Sequence, residues 1–302
     1  MKMPWETLWT LGRAVLLGLL LLVLLIRMFE ERLVFFPDRY ATNEWDPSRM
    51  GVEVEDVFFT TSDGVRLHAW WAPASSFAKA TEDKPAEQAP GAPDTLHTIL
   101  YFHGNAGNLT NRIENIAFLR QLPANVLAVD YRGYGKSEGR PTEEGVYLDA
   151  QAAYDYLFHE RGVVPDQLVV LGQSLGVAVA VDLASKRPVA GLILEGGFPS
   201  AGRVVQRTMG LPGLHLVIRS KFDSAAKLKE ISVPVLVAHC TRDPILPYAL
   251  GEELYAAANQ PKTFVSYDSD YHEPFFFANP VDYAARLRAF LETATKAQGP
   301  RD

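Results

Sequence analysis

From residue 95 onward, short apolar runs alternate with amphipathic stretches of helical length. The runs fall at 99–102, 126–129, 168–171, 192–194, 235–238 and 263–267, with helices expected near 111–122, 143–159, 175–186, 249–258 and 280–293. Strands separated by helices are too far apart along the chain to pair through tight hairpins. Each must cross over and re-enter beside a neighbour, which predicts an α/β fold with a mostly parallel sheet flanked by helices. In such a sheet the functional groups gather at the carboxyl ends of the strands. Upstream, residues 52–59 alternate apolar and acidic side chains (VEVEDVFF). Ser62-Asp63-Gly64 then supplies a turn and residues 65–71 a second strand, so a β-hairpin is expected. Residues 74–93, rich in Ala, Pro, Glu and Lys and without periodicity, read as a solvated loop inside the domain. The 302 residues allow one or two globular units, and 48% hydrophobic with 22% charged residues supplies a large core and excludes global disorder.

Residues 8–26 carry one charge, Arg13, and residues 14–26 (AVLLGLLLLVLLI) carry none. At about 1.5 Å per residue the longer stretch reaches roughly 28 Å, near the hydrocarbon thickness of a bilayer, provided that Arg13 snorkels. Trp5 and Trp9 on one side and Phe29, Phe35, Phe36 and Tyr40 on the other resemble interfacial aromatic belts, with Arg27 and Arg32 as flanking anchors. A cleaved signal peptide is the alternative, but Arg27-Met28-Phe29-Glu30-Glu31 follows the apolar run with no small-x-small cleavage pattern. The expected organisation is a single-pass membrane anchor over residues 1–40, with its helix about 8–28, followed by one α/β domain over 41–302. Lys2 and Arg13 before the span and Arg27, Arg32 and Arg39 after it leave the orientation open.

Charge and cysteine content exclude other classes. Twenty-nine Lys and Arg against 36 Asp and Glu give a net charge of −7, a poor match for nucleic acid. One cysteine, Cys240, excludes an intrachain disulfide framework and a multi-cysteine zinc or iron–sulfur site. No metal or organic cofactor is indicated.

Two stretches match G-x-S-x-G: Gly135-Lys136-Ser137-Glu138-Gly139 and Gly172-Gln173-Ser174-Leu175-Gly176. Ser174 directly follows the apolar run at 168–171 and opens the helical stretch LGVAVAVDLA, the strand–turn–helix setting of a nucleophile elbow. The elbow crowds the residues two before and two after the serine, and glycine at 172 and 176 relieves that crowding. The bland reading of Ser174 is a helix cap. Ser137 sits between two charged residues and is followed by Arg140-Pro141, so it reads as a loop residue.

A serine hydroxyl needs a base to take its proton, and the base needs a third group to orient it. In the chain order that accompanies an elbow of this kind, the acid and then the histidine follow the serine. His68, His97, His103 and His159 precede Ser174, leaving His215, His239 and His272. His272 lies just past the last strand and before the final helix; His239 reads as a packed strand-end residue and His215 falls in a long excursion. Asp243, in the loop after the run at 235–238, is the candidate acid, with an Asp-Pro turn as its bland reading and Glu195 as a competitor. The oxyanion hole is expected from the backbone N–H of Leu175 and of Asn105 in the loop His103-Gly104-Asn105-Ala106-Gly107-Asn108. No Lys-Ser/Thr pair follows those glycines, so a phosphate loop is not expected, and His103 reads as structural.

With these residues in place, the sequence is identified as a member of the α/β-hydrolase superfamily. Within it, the chain resembles the membrane-anchored abhydrolase-domain and serine-aminopeptidase-like group. The resemblance spans most of residues 50–295 and is carried by YFHGNAGN at 101–108, DYRGYGKSEGRPTEEG at 130–145, LGQSLG at 171–176, LILEGGFPS at 192–200, and the loops of Asp243 and His272. It implies an eight-stranded type of sheet, a Ser174–Asp243–His272 triad and hydrolysis of an ester, thioester or amide, among relatives that include lipid-linked and protein-depalmitoylating esterases. Val177, Cys240 and Tyr271 depart from the glycines usual at those positions, and bulk at 271 is expected to narrow the site. Residues 198–230 are expected to form a small cap whose apolar run lines an acyl pocket, with Phe275-Phe276-Phe277 more simply read as core than as pocket. The expected function is thus a membrane-anchored serine hydrolase acting on an ester or thioester, with a lipid or acylated protein as a candidate substrate. A peptidase or amidase and a catalytically silent binding protein of the same fold are the alternatives. Acyl group, leaving group and oligomeric state are not encoded in any motif here.

Overall fold

A computed structural model describes residues 4–39, 47–74, 97–210, 213–272 and 275–296. The expected solvated loop therefore lies, from residue 75 on, outside the described residues, as do Tyr40 and the first two residues of the apolar run at 211–218. Among the described residues ten strands are formed: β1 (Phe36–Pro37), β2 (Glu55–Thr60), β3 (Arg66–Ala72), β4 (His97–Phe102), β5 (Ala106–Gly107), β6 (Ala124–Asp130), β7 (Leu168–Gln173), β8 (Gly191–Glu195), β9 (Val235–Cys240) and β10 (Lys262–Tyr267). Eight of them make one sheet in the order β10-β9-β8-β7-β4-β6-β3-β2. The β2–β3 and β3–β6 pairs are antiparallel and all the others parallel. The predicted hairpin is β2–β3, closed at Gly64, whose φ of +85° suits a residue without a Cβ.

The helices are α1 (Trp5–Val34), α2 (Ile113–Leu119), α3 (Glu143–Glu160), α4 (Leu175–Lys186), α5 (Ala201–Thr208), α6 (Ser224–Leu228), α7 (Tyr248–Ala257) and α8 (Pro280–Lys296). They cover both faces of the sheet. On one face α3, α4, α6 and α7 pack over Leu100, Leu127, Val170, Leu192 and Val237; on the other, α2 and α8 pack over Ile99, Val126, Val169, Leu171 and Leu236. Neighbouring residues of one strand thus enter opposite cores. For that reason β4, β7 and β9 are buried along their whole length and read in sequence as unbroken apolar runs rather than alternations.

Helix α1 extends beyond the expected residues 8–28 in both directions and runs for 30 residues. None of its apolar window is buried, and its length and composition are sufficient to cross a membrane. The C-terminal extension has a physical cause: residues 27–34 find partners on the α/β domain. Glu30 is only 2% exposed there. Residues 198–230 leave the sheet after β8 and contain α5, a short helical turn at Leu214–Leu216, and α6, whose Leu228 enters the main core.

Candidate active site

The strand–turn–helix at β7–α4 places Ser174 between the last residue of the strand and the first of the helix. Its backbone sits at φ 52°, ψ −113°, outside the ordinary regions for a residue with a side chain. Such a conformation costs on the order of 1–3 kcal/mol and persists only where surroundings enforce it. Here they do. The Ser174 N–H donates to the Glu195 carbonyl oxygen at 2.8 Å. A Cβ on Gly172 would lie 2.3 Å from the Gly176 carbonyl oxygen, and one on Gly176 would lie 2.1 Å from that of Phe102. Glycine at both positions is therefore required by close backbone approach. That approach also brings the end of β4, and the loop carrying Asn105, against the first turn of α4. The bland reading of Ser174 does not hold, because its side chain makes no capping bond.

Ser174 Oγ lies 2.9 Å from His272 Nε2, and His272 Nδ1 lies 2.6 Å from Asp243 Oδ2. With the ring neutral and protonated at Nδ1, the serine hydroxyl donates to Nε2 and Nδ1–H donates to the carboxylate. The three residues come from the ends of β7, β9 and β10. Asp243 is buried, which opposes its ionisation. The hydrogen bonds from His272 and from the Leu246 and Ile245 N–H groups, both at 2.8 Å on Oδ1, outweigh that and hold its carboxyl below the ordinary value. Those two N–H bonds are the Asp-Pro turn, so the bland reading and the functional one describe the same carboxylate with its two oxygens divided between them.

The other candidates are otherwise engaged. His239 is buried in β9 with Nε2 bonded to the Leu246 carbonyl oxygen at 2.9 Å and lying 3.4 Å from Asp243 Oδ2, and burial lowers its pKa from the ordinary value. His215 lies on the short turn against α5. Glu195 is buried behind the elbow, accepting from Gln173 Nε2 at 2.6 Å and from the Tyr283 hydroxyl. His103 is fully buried and donates from Nδ1 to the Gly104 carbonyl oxygen; burial, with Arg112 nearby, depresses it to about 4. Ser137 is also fully buried, donating to the Asp130 carbonyl oxygen and accepting from the His68 N–H. Burial pushes the Cys240 thiol up to about 11, so it stays protonated. Among the described residues no group of three His, Cys, Asp or Glu side chains is arranged to hold a metal ion.

One expectation about bulk is corrected, and the second departure from glycine is explained. Tyr271 is 43% exposed with its ring against Phe277, so its bulk lies at the surface rather than narrowing the site. Val177 packs where a Cβ on Gly197 would lie 2.7 Å from it, so a missing side chain at 197 makes room for the extra one at 177. The triple Phe divides: Phe275 is core, Phe276 stacks on Phe118, and Phe277 is exposed.

Asn105 lies on the expected loop, but its side chain has work that sequence reading missed. Its Oδ1 accepts from the Phe36 N–H and the Tyr134 hydroxyl, and its Nδ2 donates to the Val34 carbonyl oxygen. Glu30 was missed entirely, since nothing in a carboxylate four residues past an apolar run signals that a distant backbone will cover it.

A family model described as alpha/beta hydrolase fold matches residues 97–213. Alpha/beta hydrolase domain-containing protein WAV2 of Arabidopsis thaliana is 35% identical, covering 93% of this chain and 92% of that protein. An uncharacterized protein of Mycobacterium tuberculosis is 34% identical over 89% and 90% of the two chains. Among solved structures, the Pyrococcus furiosus esterase Pf2001 superposes with a TM-score of 0.63 at 22% identity, over 86% of this chain and 97% of that one. The chain belongs to the α/β-hydrolase family.

Proposed function

We propose that the protein is a membrane-anchored serine hydrolase that cleaves an ester or thioester through an acyl-enzyme, with a lipid or acylated molecule at the bilayer surface as substrate. The observation that carries this reading is the unbroken hydrogen-bonded row Ser174–His272–Asp243 beginning at a residue held in a strained turn.

Ser174 Oγ attacks the acyl carbonyl carbon while its proton passes to His272 Nε2. Asp243 stays ionised and stabilises the imidazolium. The oxyanion is held by the backbone N–H of Leu175, a first-turn donor without an intrahelical acceptor, and by that of Asn105. As the C–O or C–S bond breaks, His272 returns the proton to the leaving alcohol or thiol. Water then attacks the acyl-enzyme with His272 as base, releasing the acid and restoring the hydroxyl.

The membrane part of this reading is supported by where the cap meets α1. Arg27, the first charge after the apolar stretch, donates from Nε to the Val217 carbonyl oxygen at 3.1 Å. With α1 across a bilayer, that bond sets the cap at headgroup depth, where the exposed Leu216 (71%) and Met209 (59%) meet lipid. The test is turnover of esters and thioesters of increasing acyl length by the full chain in phosphatidylcholine vesicles, with Ser174→Ala beside it. Activity that rises with chain length to eight carbons or more and vanishes in the variant is expected. Turnover confined to short soluble esters would overturn the lipid assignment, and retention of activity by the variant would overturn the mechanism.

A further inference from the structure

The end of α1 is bonded to both segments that adjoin the Ser174–His272 pair. On one side the chain after the helix is built into the loop proposed to hold the oxyanion. Phe36–Pro37 pairs as β1 with Ala106–Gly107 as β5, Asp38 N–H donates to the Gly107 carbonyl oxygen at 3.2 Å, and the Asn105 side chain bonds to both Val34 and Phe36. Phe35 is buried against Phe222. On the other side Glu30 accepts from the backbone N–H of Arg219 at 2.8 Å and of Ser220 at 2.6 Å, both within the 198–230 excursion. That excursion leaves β8 beside the histidine: a Cβ on Gly196 would lie 3.4 Å from His272 Cε1.

These contacts are poor candidates for mere tethering. A buried carboxylate that satisfies backbone donors is strongly destabilising to unpair, so the helix end and the cap are locked together. A side-chain amide with both its oxygen and its nitrogen committed to one neighbouring segment fixes the backbone that carries it. An oxyanion donor must be held to about 0.5 Å for its full effect. Residues 30–38 therefore brace the loop and the excursion that adjoin Ser174 and His272, and do more than link membrane to enzyme.

We propose that Asn105 and Glu30 are positioning residues through which the seated end of α1 sets the oxyanion loop and the cap, so that catalytic competence requires the anchor helix in place. This rests on the serine-hydrolase reading above. The test uses the full chain in detergent, with active sites counted by fluorophosphonate titration of Ser174 and turnover expressed per titrated site. Asn105→Ala keeps the backbone N–H and removes the side-chain ties. It is expected to lower kcat on a short soluble ester by about 10- to 100-fold with KM within about threefold. Asn105→Asp keeps the acceptor for the Phe36 N–H and recovers part of the rate. Glu30→Gln, acting through the cap, is expected to raise KM for a long-chain ester by about fivefold, and an unchanged KM there removes Glu30 from the proposal. Parental turnover per titrated site in Asn105→Ala, whatever its melting temperature, overturns the proposal, because the contacts then only hold the fold. A parent that folds but is not labelled at Ser174 removes the serine-hydrolase reading itself, and the inference with it.

Discussion

The chain carries the same five-residue pattern twice, 37 positions apart by subtraction of Ser137 from Ser174, and the two copies are put to opposite uses. At Ser137 both glycines take positive φ, +50° at Gly135 and +81° at Gly139, Gly135 also leaving no room for a Cβ, which would lie 2.1 Å from Asp130 Oδ2, and the hydroxyl is sealed in a loop, donating to Asp130 and accepting from His68. At Ser174 the glycines serve close approach, the serine itself takes the positive φ, and the hydroxyl is left half-buried with a histidine as partner. Chemistry is specified by what the backbone around a motif does with its side chain, and the motif alone is silent on that.

The largest contrast is catalytic. Ser174→Ala and His272→Ala are expected to lower kcat by at least about a thousandfold, and Asp243→Asn by a comparable factor, because it leaves the ring in the wrong tautomer. Steady-state turnover of a chromogenic ester on folded variants checks this, and a Ser137→Ala loss of the same size would erase the contrast.

A second effect concerns acid stability around the buried Asp130–His103 end of the Ser137 loop. His103 is depressed from its ordinary 6.5 to about 4 in the fold. Folding therefore favours its neutral form, and its contribution is complete above pH 6.5 and is lost as pH falls from 6.5 towards 4. At about 1.4 kcal/mol per pH unit the loss reaches about 3 kcal/mol. Chemical denaturation at pH 7, 5.5 and 4.5 is expected to show this slope, and His103→Asn to flatten it; an unchanged slope in the variant would assign the effect to other groups.

The smallest effect sharpens the comparison from the other side. Ser137→Ala removes the buried hydroxyl's bonds with the His68 N–H and the Asp130 carbonyl oxygen and is expected to cost about 1–3 kcal/mol of stability while turnover per folded molecule stays within about twofold. Denaturation midpoints and active-site titration read the two quantities separately.

Much of the fold and of the candidate site is legible in the sequence. The elbow is readable because a fully apolar strand, a glycine pair and a helix of alternating Val and Ala meet at one serine, and the choice of His272 and Asp243 follows from chain order after that serine together with strand-end position. Strand limits were short by one or two residues at polar ends such as Gln173 and Glu195, whose side chains are buried by bonding to each other rather than by being apolar. What the sequence hid was long-range. Glu30 meets Ser220 and Asn105 meets Val34 across separations of 190 and 71 residues, and no periodicity encodes such pairings. The same holds for Tyr271 and Val177, whose bulk is accommodated by surface exposure and by Gly197.

The account stands on Ser174 being the activated nucleophile. The measurement that addresses it most directly is mass spectrometry of fluorophosphonate-treated full chain beside Ser174→Ala, Ser137→Ala and His272→Ala. The expected result is one adduct, on Ser174, kept in Ser137→Ala and lost in the other two. An unlabelled Ser174 in folded protein, or an adduct on Ser137, would contradict it.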